Sequence, residues 1–171
     1  MRVLTAAVVG TGFIGPVHVE ALKRAGVQVR GILGSTPEKS RAAAQSLRLE
    51  VAYESYAALI ADTVVDSVHI TTPNKDHLDM TKRALAAGKH VICEKPLAMT
   101  SGESAELVAL AKAHPTLVTA VNYNIRFYPL IHHARHLAQS GEIGEVYAVR
   151  GGYIQDWLLF DTDWNWRLLP S

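Results

Sequence analysis

Short, continuous apolar runs alternate along the chain with stretches whose apolar residues recur every three or four positions. The runs VLTAAVV (3–9), VQVRGIL (27–33), VVDSVHI (64–70), HVIC (90–93) and TLVTAV (116–121) are rich in β-branched residues. Because they are continuous and do not alternate in polarity, they predict strands buried on both faces. Helix-period segments lie between them. Ile14, Val17, Ala21, Leu22 and Ala25 are expected on one face of a first helix, and EKSRAAAQSL supplies a second. HLDMTKRALAA forms a third, stopping at Gly88 in the position where a glycine commonly ends a helix, and SGESAELVALAKA forms a fourth. Strand and helix in alternation require right-handed crossovers. Residues 1–122 are therefore expected to form an α/β domain, a doubly wound parallel sheet with helices on both faces.

The pattern changes after about Val121. FYPLIHHARHLAQSGEIG reads as one helix running to Gly141, and EVYAVRGGYIQDW (145–157) as a long strand of alternating character. Residues 123–171 are thus expected to be the truncated start of a second, antiparallel α+β domain.

Composition narrows the function classes. Hydrophobic residues make up 49% and charged residues 19%, with a net charge of +1, so nothing leans electrostatically toward nucleic acid or an anionic membrane. No stretch approaches the roughly 18 unbroken apolar residues of a membrane span. Cys93 is the only cysteine, which rules out an intrachain disulfide and fits a reducing, cytoplasmic setting. A small-molecule ligand is the class left to seek.

The chemistry begins where the first strand ends. Gly10, Thr11, Gly12, Phe13, Ile14 and Gly15 spell G-x-G-x-x-G between a strand and an amphipathic helix, the context in which that spacing means dinucleotide binding. Gly10 permits the tight turn, Gly12 lets backbone N–H groups reach a diphosphate, and Gly15 lets helix pack closely on strand. The helix start, through Phe13 and Ile14, offers unpaired donors and partial positive charge. At the end of the second strand, where NAD sites usually carry an acidic residue for the ribose 2′-OH, GILGSTPEKSR places Gly34, Ser35 and Thr36, and no carboxylate comes before Glu38. Hydroxyls with the nearby cations Lys39 and Arg41 favour NADP over NAD, although two such cations on a helix equally fit a solvated face.

Two further stretches, TTPNKDH (71–77) and AGKHVICEKPLAMT (87–100), taken with GTGFIG, resemble the N-terminal Rossmann domain of the glucose-fructose oxidoreductase, inositol dehydrogenase and MocA (Gfo/Idh/MocA) family of NAD(P)-dependent oxidoreductases. The resemblance extends through NYNIRFYP into the start of that family's second domain. It implies that Thr71, Thr72, Pro73 and Asn74 lie along the coenzyme with His77 close to them. Glu94, Lys95 and Pro96 form the family's EKP motif. There the lysine reaches the reacting hydroxyl and assists proton transfer, the glutamate contacts coenzyme or substrate-side groups, and the Lys-Pro bond is cis. Asn124 and Arg126 are similar to residues flanking the nicotinamide cleft, and Trp166 and Arg167 to a substrate-side segment.

The function implied is hydride transfer between a nicotinamide coenzyme and a hydroxyl-bearing carbon of a sugar, polyol or cyclitol, with Lys95 as the catalytic group and a homo-oligomeric full-length form. A non-catalytic NAD(P)-binding regulatory or partner module is the alternative, because a fold does not fix a function. His132, His133 and His136 lack a third ligand or a carboxylate motif, so no metal is expected. The aspartate and histidine that the family's second domain supplies have no match after Arg167. The expectation is a fragment of a longer enzyme, with a naturally short binding module as the competing reading.

Overall fold

A computed structural model describes residues 3–165 and 168. The chain divides into two units, Met1–Asn124 and Ile125–Ser171. The first contains six strands and five α-helices: β1 (Thr5–Val9), α1 (Ile14–Arg24), β2 (Gln28–Leu33), α2 (Pro37–Ser46), β3 (Val51–Tyr53), α3 (Tyr56–Ala61), β4 (Ser67–Ile70), α4 (His77–Ala86), β5 (His90–Glu94), α5 (Ser101–Ala113) and β6 (Thr119–Asn122). All pairings are parallel, and the strand order is β3-β2-β1-β4-β5-β6. The direction of winding reverses between β1 and β4. At such a switch point the crossover helices diverge to opposite faces and leave a crevice at the carboxyl ends of the strands.

The run of β1 shows why both faces are covered. Its five residues are all buried, and successive side chains point to opposite sides. Ala6 and Val8 join Val19 and Leu22 of α1, Ala44 of α2, and Val29 and Ile32 of β2 on one side. Ala7 and Val9 join Leu59 of α3, Ala84 and Leu85 of α4, and Val68 and Ile70 of β4 on the other. Each aliphatic side chain so buried contributes roughly 1.5–3 kcal/mol of transfer free energy.

Helix starts follow capping chemistry. Thr36 accepts from Lys39 N (3.3 Å) with Pro37 in the first turn of α2, and Ser55 accepts from Ala58 N (3.1 Å) at α3. Thr100 and Glu103 form a reciprocal capping box at α5.

Three expectations need correcting. β3 and α3 were not anticipated; at three and six residues they are too short to show a period. The buried face of α1 is Gly15, His18, Val19 and Leu22, whereas Val17, Ala21 and Ala25 are exposed. A histidine on the inward stripe shifts the apparent apolar face. In the second unit, α6 (Pro129–Ser140) forms and ends at Gly141 in the left-handed region, but 145–157 contains no strand. Alternation alone does not make a strand, because a ladder needs a partner to accept its hydrogen bonds, and the described residues of this unit supply none.

Candidate active site

β1 delivers the chain to Gly10, whose φ is +113° and whose N–H donates to Leu33 O at 2.8 Å. A Cβ at Gly10 would lie 2.4 Å from Thr71 Oγ1, and one at Gly15 would lie 2.1 Å from Gly10 O. The turn is thus pressed against the end of β4, and α1 against the turn, as closely as backbone allows. Gly12 is different: a Cβ there would meet nothing within 4 Å. The bare backbone at Gly12 therefore borders open space. No side chain caps α1, and its first turn holds no acidic residue, which leaves its leading N–H groups and partial positive charge for an anion. Tight packing at two glycines and an opening at the third fit a diphosphate. Phe13 is exposed and Ile14 half-buried beside it.

At the end of β2, Gly34 N donates to Ser40 Oγ (2.8 Å), drawing the start of α2 against the strand. Ser35 and Thr36 are exposed. Lys39 Nζ donates to Ser35 Oγ at 3.2 Å, so a cation and a hydroxyl stand together here. The first carboxylate that follows in the sequence, Glu38, is paired with Arg41 at 2.7 Å.

After β4, Thr71 N and Oγ1 both donate to Val9 O at 2.8 Å, locking this turn to the glycine loop. Thr72 and Asn74 are half-buried and Pro73 is exposed; a 3₁₀ turn, Asn74–Asp76, leads into α4. His77 is wholly buried. Its Nδ1 lies 2.7 Å from Pro96 O and its Nε2 3.1 Å from Thr72 O. The imidazole therefore presents no surface to a ligand, and it sits between two rim segments instead of lining the site.

β5 ends at Glu94, followed by exposed Lys95 and a cis Lys95–Pro96 bond. Glu94 is turned inward: Oε1 lies 3.0 Å from His18 Nε2 and 2.6 Å from Asn122 Nδ2. Burial raises the Glu94 pKa, but hydrogen bonds from His18 and Asn122 outweigh it and hold the carboxyl below its ordinary value. An ionised carboxylate only accepts, so His18 Nε2 carries the proton and Asn122 presents its amide N–H. The 3.2 Å approach of those two nitrogens is then two donors converging on one acceptor. Behind them His18 Nδ1 lies 3.0 Å from His69 Nδ1. Burial first, and then the neighbouring His18, push the His69 pKa down to about 4.

His18, His69 and Asn122 were not anticipated from the sequence. The only signal for them was a polar residue recurring on faces otherwise apolar. Asn124 and Arg126 lie on an exposed 3₁₀ turn, Asn124–Phe127, and Arg126 belongs to the second unit. Trp166 and Arg167 lie outside the described residues. Among the described residues no three His, Cys, Asp or Glu are grouped to hold a metal ion, and no helix is long and apolar enough to cross a membrane.

Residues 4–123 match the model of an oxidoreductase family described by its NAD-binding Rossmann fold. The chain belongs to the Gfo/Idh/MocA family. Gfo/Idh/MocA relatives include levoglucosan dehydrogenase of Pseudarthrobacter phenanthrenivorans, 32% identical over the whole of this chain and 46% of that enzyme. D-xylose 1-dehydrogenase (NADP(+)) 2 of Haloferax volcanii is 36% identical over 85% of this chain and 45% of that one. Among solved structures, myo-inositol 2-dehydrogenase of Lactobacillus plantarum superposes with a TM-score of 0.79 at 28% identity, covering 85% of this chain and 43% of its own. The chain spans less than half the length of the curated relatives it matches.

Proposed function

We propose that this chain is the coenzyme-binding part of an NADP-preferring dehydrogenase acting on a hydroxyl-bearing carbon of a sugar, polyol or cyclitol. The observation that carries the reading is the bond between His18 and Glu94. His18 lies one turn beyond Gly15, so this bond brings the residue preceding Lys95 against the helix that opens at the glycine cradle. Gly12 and the start of α1 would hold the diphosphate, and Thr71 to Asn74 would run along the coenzyme. Ser35, Thr36 and Lys39 would receive the 2′-phosphate. When bound, the coenzyme supplies the hydride acceptor or donor.

Lys95 manages the proton. Its Nζ hydrogen-bonds the substrate hydroxyl, orients the carbon that bears it, and takes or returns the proton as the hydroxyl becomes a carbonyl or is re-formed. The names of the relatives support a sugar or polyol substrate, and one NADP-named relative supports the coenzyme preference.

The test is titration of NADPH and NADH in parallel by reduced-nicotinamide fluorescence, on the natural gene product and its Ser35→Asp variant. NADPH is expected to bind at least tenfold more tightly than NADH, and Ser35→Asp to reverse the order by placing a carboxylate against the 2′-phosphate. Tighter NADH binding by the unaltered protein refutes the preference. Tight coenzyme binding with no turnover across a polyol panel supports a non-catalytic binding module instead.

A further inference from the structure

Lys95 is exposed, yet the residues on either side of it are each held by a buried histidine. Glu94, before it, accepts from His18 Nε2 at 3.0 Å. Pro96, after it, has its carbonyl 2.7 Å from His77 Nδ1. His18 and His77 are 7% and 0% exposed. They come from different helices: α1, which opens at the glycine cradle, and α4, which follows the Thr71–Asn74 turn.

Resting on the dehydrogenase reading above, we propose that His18 and His77 are positioning residues for Lys95, holding its two neighbours, Glu94 by the side-chain carboxylate and Pro96 by the backbone carbonyl, against the two segments that would hold the coenzyme. Burying these groups only to fill space would be a poor solution. Each polar atom taken from water costs free energy unless it is paired, and apolar side chains of similar volume would pack without that cost. The contacts of both histidines converge on one exposed lysine. His69 and Asn122 complete the chain on the Glu94 side, at 3.0 Å from His18 Nδ1 and 2.6 Å from Glu94 Oε1. On the other side His77 Nε2 meets Thr72 O at 3.1 Å.

The carboxylate accepts only, so the part of His18 that matters for Glu94 is a donor at the Nε2 position, which a glutamine amide reproduces. For Pro96 it is a donor at the Nδ1 position of His77, which an asparagine amide reproduces. This difference in reach separates a hydrogen-bond role from a packing role.

The experiment uses the natural gene product carrying this chain, saturated with NADPH, as wild type, His18→Leu, His18→Gln, His77→Leu and His77→Asn. Four quantities are read: the Kd for NADPH, the rate at which trinitrobenzenesulfonate labels Lys95 (followed by peptide mass mapping), and kcat and KM on the polyol panel. The Leu variants are expected to keep the coenzyme Kd within threefold, change the Lys95 labelling rate at least fivefold, and lower kcat at least tenfold with KM within threefold. His18→Gln and His77→Asn are expected to return labelling and kcat to within threefold of wild type.

Folded Leu variants whose Lys95 labelling and kcat stay within twofold of wild type overturn the proposal. Amide variants that regain thermal stability without regaining those two values overturn it as well. Should a Leu variant fail to fold, the amide variants decide by the same threefold criterion. A wild type that turns over none of the polyols refutes the dehydrogenase reading alone, because the labelling comparison still tests the positioning.

Discussion

Acidification from pH 8 to pH 5 is expected to remove about 2 kcal/mol of folding free energy through His69 alone. The ring lies 5% exposed on β4, with its pKa depressed to about 4 by burial and by the adjacent His18. In the unfolded chain the same group titrates near its ordinary value of about 6.5. Between those two values the unfolded state binds the proton and the native state does not, so stability rises with pH across this window and falls as pH drops through it. At full protonation of the unfolded chain, below about pH 4, the loss reaches about 3 kcal/mol.

Urea unfolding followed by far-UV circular dichroism, at pH 8, 7, 6 and 5, measures this directly. The comparison is His69→Asn, whose amide donates from the Nδ1 position to His18 but does not titrate. Glu94 and Asp62, whose carboxyls are held below their ordinary values, weaken the fold only as pH falls toward and below the carboxylate range. They are present in both proteins and cancel in the difference. Wild type is expected to lose about 2 kcal/mol more than the variant between pH 8 and pH 5. Parallel stability profiles, agreeing within about 0.5 kcal/mol in slope over that range, would refute a buried, neutral His69.

Two other perturbations probe the cradle and the core. Gly12→Ala, with open space around its Cβ, should leave Tm within about 2 °C while weakening NADPH binding at least tenfold; Gly10→Ala and Gly15→Ala, whose Cβ atoms would collide with Thr71 and Gly10, should each lower stability by roughly 2–4 kcal/mol in the same urea assay. Equal effects at all three positions would contradict the division of labour among them. Lys89 is 8% exposed and donates from Nζ to Asp62 O (2.8 Å) and Val65 O (2.7 Å), so Lys89→Met, which keeps the stem but takes this donor from Val65 O and leaves Asp62 O with Val65 N at 3.2 Å, is expected to cost roughly 1–3 kcal/mol; a loss under about 0.5 kcal/mol would show that water replaces the ammonium.

What the sequence revealed, and what it hid, follows the range of the interactions involved. The glycine loop was legible because all its requirements fall within six consecutive residues, and the strands because β1, β2, β4 and β5 are long enough to declare themselves. β3 is too short for that; it is held by parallel pairing of Val51, Ala52 and Tyr53 with Gly31, Ile32 and Leu33, a contact no local window contains. The inner network was hidden for a related reason. His18 bonds to partners 51 and 76 residues away, and to a reader of periodicity it is merely a polar residue among apolar neighbours. His77 was noticed, but only the folded chain shows that its ring is wholly buried, with a backbone carbonyl against each nitrogen. The strand expected at 145–157 fails because alternation describes a half-buried surface without supplying the neighbour that would bury it.

Because all six strands run the same way, every candidate residue of the first unit that reaches solvent sits on one rim of the sheet, in the turns after β1, β2, β4, β5 and β6. The turns entering the strands, among them those at Gly26 and Gly88, occupy the far rim and carry none of these residues. A reporter peptide, an affinity handle or a surface tether spliced in there would be held a full strand length from the chemistry, so this molecule can be anchored or labelled from behind without touching the end that works.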